Sequence, residues 1–217
     1  MNHETNHEEN IKKFEELFSG IKRSGADRIL KYIRQSDFYT APASTKYHLC
    51  VEGGLLQHSL DVYDALQAEK KNPIWGKALE KVSEETLLIV SLLHDLCKTF
   101  FYAESTKNVK VYDPEEIAAA DRKSIKKDNN GEFIWKTVPC YTVENKYPLG
   151  HGSRSVIFIM KMMPLTMEEI TAIYWHMGAY CDQGQWNELG EAYKKFPLAL
   201  ALHHADMVAT YLMEKEG

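Results

Sequence analysis

The segment from Ser83 to Phe100 constrains this chain more than any other part of it. Ser83 is a natural helix N-cap, and Glu84 and Glu85 fall in the first turn, where the helix dipole favours acidic groups. The run Leu87-Leu88-Ile89-Val90-Ser91-Leu92-Leu93 that follows is apolar nearly all round, which is the pattern of a helix without a solvent face. The spacing predicts a helix to about Phe100 and makes it the central element of a helical core. Yet the run leads directly into His94-Asp95. An ionised carboxylate beside a core helix costs several kcal/mol unless it is paired or metal-bound.

The same conflict recurs elsewhere. His58 lies within Leu55-Leu56-Gln57-His58-Ser59-Leu60, His151 falls at a predicted helix start, and His176 at a predicted helix end. His203 and His204 precede Asp206 in an otherwise apolar last helix. Each has a plainer reading by itself. His58 reads as a capped core histidine, His176 as a cation placed favourably at a helix C-terminus, Asp206 as a helix-face carboxylate paired with Lys or Arg, and His94-Asp95 as a structural pair. His48 reads as a loop residue. Several such groups on separate buried helices, however, point to a shared ligand. Neutral imidazoles with aspartates suit a divalent transition metal.

The rest of the chain reads as helices around that core. Residues 1–8 read as a frayed acidic leader. Helical periodicity starts at Ile11, breaks at Gly20 and resumes from Ala26 to Ile33. Ala41-Pro42-Ala43-Ser44 is a loop, Gly53-Gly54 opens the next helix, and Asn72-Pro73 ends it. From 103 to 148 the character changes. Asp113-Pro114 starts a short helix, and Asn130-Gly131 is a strong hairpin signal. This stretch is expected to be an insertion lying over something, either a lid or a partner-docking arm, with Tyr102, Tyr112, Trp135 and Tyr141 packing it together rather than lining a base pocket. Helices return near 150–162. Thr166-Met167-Glu168-Glu169 is a capping box for a helix to about Met177, 180–190 reads as a loop, and a last helix runs from Pro197 to about Met213. The expectation is one all-α domain over 1–217: a helical body of 9–102 and 149–215, with a small β-hairpin insertion between.

Composition narrows the function classes. At 217 residues with 12 Gly and 7 Pro, this is an ordinary globular chain. No apolar stretch approaches the roughly 20 residues of a membrane span, and the first residues are polar and acidic, so a cytoplasmic protein with no membrane partner is expected. The net charge of −5 disfavours a long nucleic acid. The 4 Cys are scattered without a C-x-x-C pair, and read as reduced, mostly buried thiols.

The ordered set His58, His94-Asp95 and Asp206 resembles the H…HD…D pattern of the HD-domain metal-dependent phosphohydrolases. Gly53-Gly54-Leu55-Leu56-Gln57-His58-Ser59 resembles the segment bearing the first ligand, and His203-His204-Ala205-Asp206 the box bearing the last. Leu93-His94-Asp95-Leu96-Cys97-Lys98 is similar to the HDIGK box, with Leu-Cys where Ile-Gly is usual. Tyr147 to Gly152 and Trp175 to Gly178 resemble extra histidine boxes of uncharacterised Firmicute and prophage members. The resemblance implies an HD-domain helical bundle in which His58, His94, Asp95 and Asp206 hold one cation. Asp95 would bridge to a second cation completed by His151 and His176. The ion would be Mn, Fe, Co, Ni or Zn, present once or twice, activating water against a nucleotide-type phosphoester. Lys98 and Arg154 are expected to bind phosphate, and Asp95, Lys98 and His203 to take part in catalysis. The alternatives are a catalytically silent nucleotide-sensing module, or a 3′–5′ exonuclease-like activity on short nucleic acid. Nothing in the pattern decides against a homodimer.

Overall fold

The computed structural model describes residues 3–46 and 49–214, with side chains from His7 onward. His48 lies outside the described residues. The molecule is mostly helical, with one small antiparallel sheet. α1 (His3–Phe18) begins inside the expected leader, so residues 3–8 are its first turns. α2 (Ala26–Gln35), α3 (Gly54–Lys70) and α5 (Glu84–Leu93) follow, with a short α4 (Pro73–Ala78) between the last two. Asn72 therefore both follows the end of α3 and caps α4, its side chain accepting from the Ile74 amide at 2.9 Å.

α5 is the buried centre. Ser83 Oγ accepts from the Thr86 amide at 3.1 Å, and every residue from Thr86 to Leu93 is buried. α5 packs on α1 and α3 on one side and on α8 (Met167–Trp175) on the other. α10 (Pro197–Val208), which continues as a π-turn at Ala209–Met213, lies across α3 and α8. Leu55, Leu56, Ile89, Leu92, Ile173, Leu198 and Leu202 meet in this core with no exposed surface.

α5 ends at Leu93 and not near Phe100. A 3₁₀ turn at Leu96–Lys98 follows, and Phe100 has a φ of 53°, a left-handed conformation that no helix continues through. Its amide is held by Asp37 Oδ1 at 2.8 Å. Asp95 thus sits at a break, with φ −107° and ψ 19° in the bridge region.

The sheet is larger than the expected hairpin. β1 (Tyr102–Val111) pairs with β3 (Gly131–Val143) from Tyr102↔Val143 to Val111↔Ile134, and β2 (Lys126–Asp128) adds to the other side of β3 through the Asn130-Gly131 turn. The long partner β1 was hidden because Glu104 to Asn108 is polar on both faces and carries no apolar alternation. α6 (Pro114–Ala119), capped by Asp113, lies between the strands in sequence. α7 (His151–Met160) returns the chain to the body. The expected loop at 180–190 instead holds a 3₁₀ turn and the start of α9 (Trp186–Lys195), whose buried Leu189 and Ala192 explain why a polar sequence becomes helical there.

Candidate metal centre

Four elements deliver polar side chains to one point. α3 brings His58, the end of α5 brings His94 and Asp95, the end of α8 brings His176, and α10 brings Asp206. His58, His94 and His176 are each at most 1% exposed, and Asp95 is 3% exposed.

The outward nitrogen of each ring is tied down. His94 Nδ1 lies 2.8 Å from the Ser91 carbonyl, and His176 Nδ1 2.6 Å from the Ile173 carbonyl. A carbonyl only accepts, so both Nδ1 atoms carry the proton, and each Nε2 keeps a lone pair whenever its ring is neutral. His58 Nδ1 is held by Glu214 Oε1 at 2.8 Å. The three Nε2 atoms face inward. His58 Nε2 lies 3.3 Å from His94 Nε2, 3.3 Å from Asp206 Oδ1 and 3.7 Å from Asp95 Oδ2. His94 Nε2 is 3.5 Å from Asp95 Oδ2, and His176 Nε2 is 3.6 Å from Asp95 Oδ1. Nitrogen and oxygen donors about 2.1 Å from one ion lie about 3.0 to 3.4 Å apart, and the observed 3.3 to 3.7 Å is within a few tenths of an ångström of that range. His176 Nε2 and Asp95 Oδ1 are moreover buried without a hydrogen-bond partner. The donor atoms of His58, His94 and Asp95, and those of His94, His176 and Asp206, lie within 4.8 Å of one another. The residues fit a divalent cation.

The electrostatics divide the histidines: burial opposes protonation of His176, but the Asp95 carboxylate facing it raises it. Burial, aided by the neighbouring His176 and His58, pushes His94 down to about 4, and burial does the same to His151. Both imidazoles are therefore neutral near pH 7. Burial opposes ionisation of Asp95, but Lys98 and the surrounding histidines hold its carboxyl well below the usual range. His58 is raised to about 10, because hydrogen bonds to Asp206 and Glu214 outweigh its burial. A cation entering here would take the place of that proton.

Above these groups opens a cavity of about 740 Å³, walled also by Lys98, His151, His203, Met207 and Tyr211. Lys98 Nζ sits 2.7 Å from Asp95 Oδ2. His203 Nδ1 donates to the His176 carbonyl at 2.7 Å, and its ring lies against Gly178. Gly178 has a φ of 55°, and a Cβ there would come within 2.4 Å of the His203 ring, so glycine is required on both counts. His204 points away. It bonds Glu69 at 2.5 Å and stacks on Trp75.

Two expectations need correction. Arg154, expected to bind phosphate, is 3% exposed and does not line the cavity. Its guanidinium bonds Asn145 Oδ1 at 2.9 Å and stacks 4.4 Å from the centre of the Phe101 ring, so it is already engaged behind the site. Nor is the sheet a lid, since no residue of 103–148 lines the cavity. Tyr112, Phe133 and Trp135 pack on one another within the sheet instead.

His151 lines the same cavity as His176 but belongs to a different compact donor group. Gly152 lets α7 approach α8 closely, where a Cβ would meet the Tyr174 carbonyl at 2.1 Å. His151 Nδ1 faces Cys97 Sγ at 3.1 Å, and the compact donor group it joins is with Asp95 and Cys97. Cys97 and Glu214 are the site residues that sequence reasoning missed. Cys97 had a signal, since it stands where the resembling box has glycine. Glu214 had none, because it follows the expected end of the last helix in the charged run Glu214-Lys215-Glu216.

No helix among the described residues is long and apolar enough to cross a membrane. Compared with protein-family models, curated proteins and solved structures, the chain matches none of them.

Proposed function

We propose that this chain is a metal-dependent phosphohydrolase of the HD type, acting on a small nucleotide-like phosphoester. What supports the reading is one observation. Imidazole nitrogens and carboxylate oxygens from four helices converge at spacings suited to a shared cation, two of them orphaned, at the floor of an open cavity. A purely structural cation cage would be closed.

When bound, a divalent cation pair supplies Lewis acidity and lowers the pKa of water to near neutrality. His58, His94, Asp95, His176 and Asp206 would hold the cations. Lys98, on the cavity wall beside Asp95, orients that carboxylate and offers its ammonium to a phosphate oxygen. His203, its Nδ1 proton fixed on the His176 carbonyl, presents Nε2 as the atom that exchanges a proton with the leaving-group oxygen. The apolar part of the wall, from Met177, Met207 and Tyr211, suits a small molecule with a flat apolar portion better than a long polyanion.

The test is direct. Purification without chelator followed by elemental analysis should find transition metal. A panel of nucleotides, cyclic nucleotides and a bis-aryl phosphate assayed with Mn should reveal turnover. Asp95→Ala should lose tight metal retention and lower turnover by about 10³-fold or more, the scale of several kcal/mol of charge stabilisation. Full turnover in that variant would overturn the mechanism. Metal bound without activity on any phosphoester would favour a sensing module.

A further inference from the structure

We propose that Cys97 is a metal ligand, its thiolate holding the second cation together with His151 and Asp95. This rests on the two-cation reading above but changes the expected composition of the second site, from histidines and aspartate to a mixed sulfur, nitrogen and oxygen set.

Cys97 sits in the 3₁₀ turn that immediately follows Asp95, and two bonds fix that turn. The Cys97 amide donates to Ser155 Oγ on α7 at 3.2 Å, and the Lys98 amide donates to the Asp95 carbonyl at 2.9 Å. Sγ is thereby held 3.1 Å from His151 Nδ1. With a carboxylate oxygen of Asp95, all three donor atoms lie within 4.8 Å of one another. Donors about 2.3 and 2.0 Å from a tetrahedral ion, the usual sulfur and nitrogen distances, lie about 3.5 Å apart. The observed pair thus needs to open by only a few tenths of an ångström.

A second observation is independent of the cysteine. Asp95 Oδ1 is buried and has no hydrogen-bond partner, although Oδ2 of the same carboxylate is engaged by Lys98. A carboxylate with one oxygen occupied and the other orphaned is placed to bridge toward a further cation. Arg154, excluded above from the phosphate site, also finds a role here. Its Nη2 lies 4.0 Å from Sγ and works against the burial and the Asp95 charge that raise this thiol in the absence of a cation.

The Cys97–His151 pair also resembles a nucleophilic dyad, but Cys97 is 2% exposed and does not line the cavity, so a substrate has no approach to its sulfur. A ligand behind the cation needs no such approach. Binding forms a sulfur–metal bond and breaks the S–H bond, the proton leaving to solvent. Sulfur makes this site softer than the first, favouring Zn or Cd over Mn. Among the described residues, Cys50, Cys140 and Cys181 belong to no such donor group.

Titration of the metal-free full chain with Co(II), followed by absorbance, tests the proposal without reference to activity. A thiolate-to-cobalt charge-transfer band should grow with one of two equivalents. Cys97→Ser should remove the band and weaken that equivalent while leaving the ligand-field bands of the other. A triple Cys50→Ala, Cys140→Ala, Cys181→Ala variant should keep the band. Two equivalents binding to the unaltered protein without a charge-transfer band would overturn the thiolate assignment and leave the phosphohydrolase reading standing. A band that disappears from the triple variant would do the same. Failure of the unaltered protein to bind Co(II) at all would overturn both.

Discussion

The helical body contains two buried polar clusters, and they are built on opposite principles. One joins Arg23 to α5 and α8. The Glu169 carboxylate, fully buried, receives both ends of the Arg23 guanidinium, the Thr86 hydroxyl at 2.9 Å and the Thr166 amide at 2.8 Å. Thr166 Oγ1 in turn accepts from the Glu169 amide, completing the capping box. Every charge there has its counter-charge. The other cluster, around Asp95, crowds imidazole nitrogens and carboxylate oxygens together and leaves Asp95 Oδ1 and His176 Nε2, 3.6 Å apart, without a hydrogen-bond partner. The contrast sets a group that holds helices together against groups that could hold a cation.

Four measurements break or sharpen that contrast. The largest effect on stability is expected for Glu169→Ala, which removes the main partner of Arg23 and leaves it only the longer contacts to Glu85 at 3.4 Å and the Pro164 carbonyl at 3.3 Å. Unfolding by denaturant should show a loss of about 3–5 kcal/mol, the same with and without Mn, and a loss that depends on the metal would mean that the two clusters are coupled. Next, metal at a hundred times its dissociation constant should stabilise the unaltered protein by about 2.7 kcal/mol. Asp95→Ala should abolish that gain in a thermal melt, and persistence of the gain would place the cation elsewhere. Third, Glu214→Gln keeps the shape but weakens the carboxylate behind His58. Calorimetric titration should show metal affinity falling about 10- to 100-fold with the metal-free melting curve little moved. An unchanged affinity would make Glu214 a structural contact only. The smallest effect belongs to the sheet. Trp135→Ala, at a position 48% exposed, should leave stability within about 0.5 kcal/mol and metal content unchanged. A loss of metal in that variant would mean that the sheet governs the centre after all.

Most of the helical body was legible because its signals are local. Ser83, Asp113 and Thr166 cap the helices they were expected to cap, and the all-round apolar run of α5 is the core. The candidate metal donors were legible for a different reason. His58, His94-Asp95, His176 and Asp206 each contradict the apolar segment that carries them, and such a contradiction shows in one dimension. What stayed hidden depends on partners distant in the chain. The stop of α5 before Phe100 involves Asp37, the strand β1 needs β3, and α9 is stabilised by burying Leu189 and Ala192. Arg154 looked like an anion site because it opens a helix, and only packing against Phe101 and Asn145 shows that it is already engaged.

Sequence alone determined that this chain forms a helical core and that the core must accommodate several imidazoles and acids, because periodicity and capping are set by neighbours along the chain. The tertiary structure decided which of those groups meet. It set His151 beside Cys97, brought Glu214 behind His58 and left Asp95 half satisfied. Those pairings depend on how α3, α5, α7 and α10 cross, and a distance between side chains on different helices is written nowhere in the order of the residues.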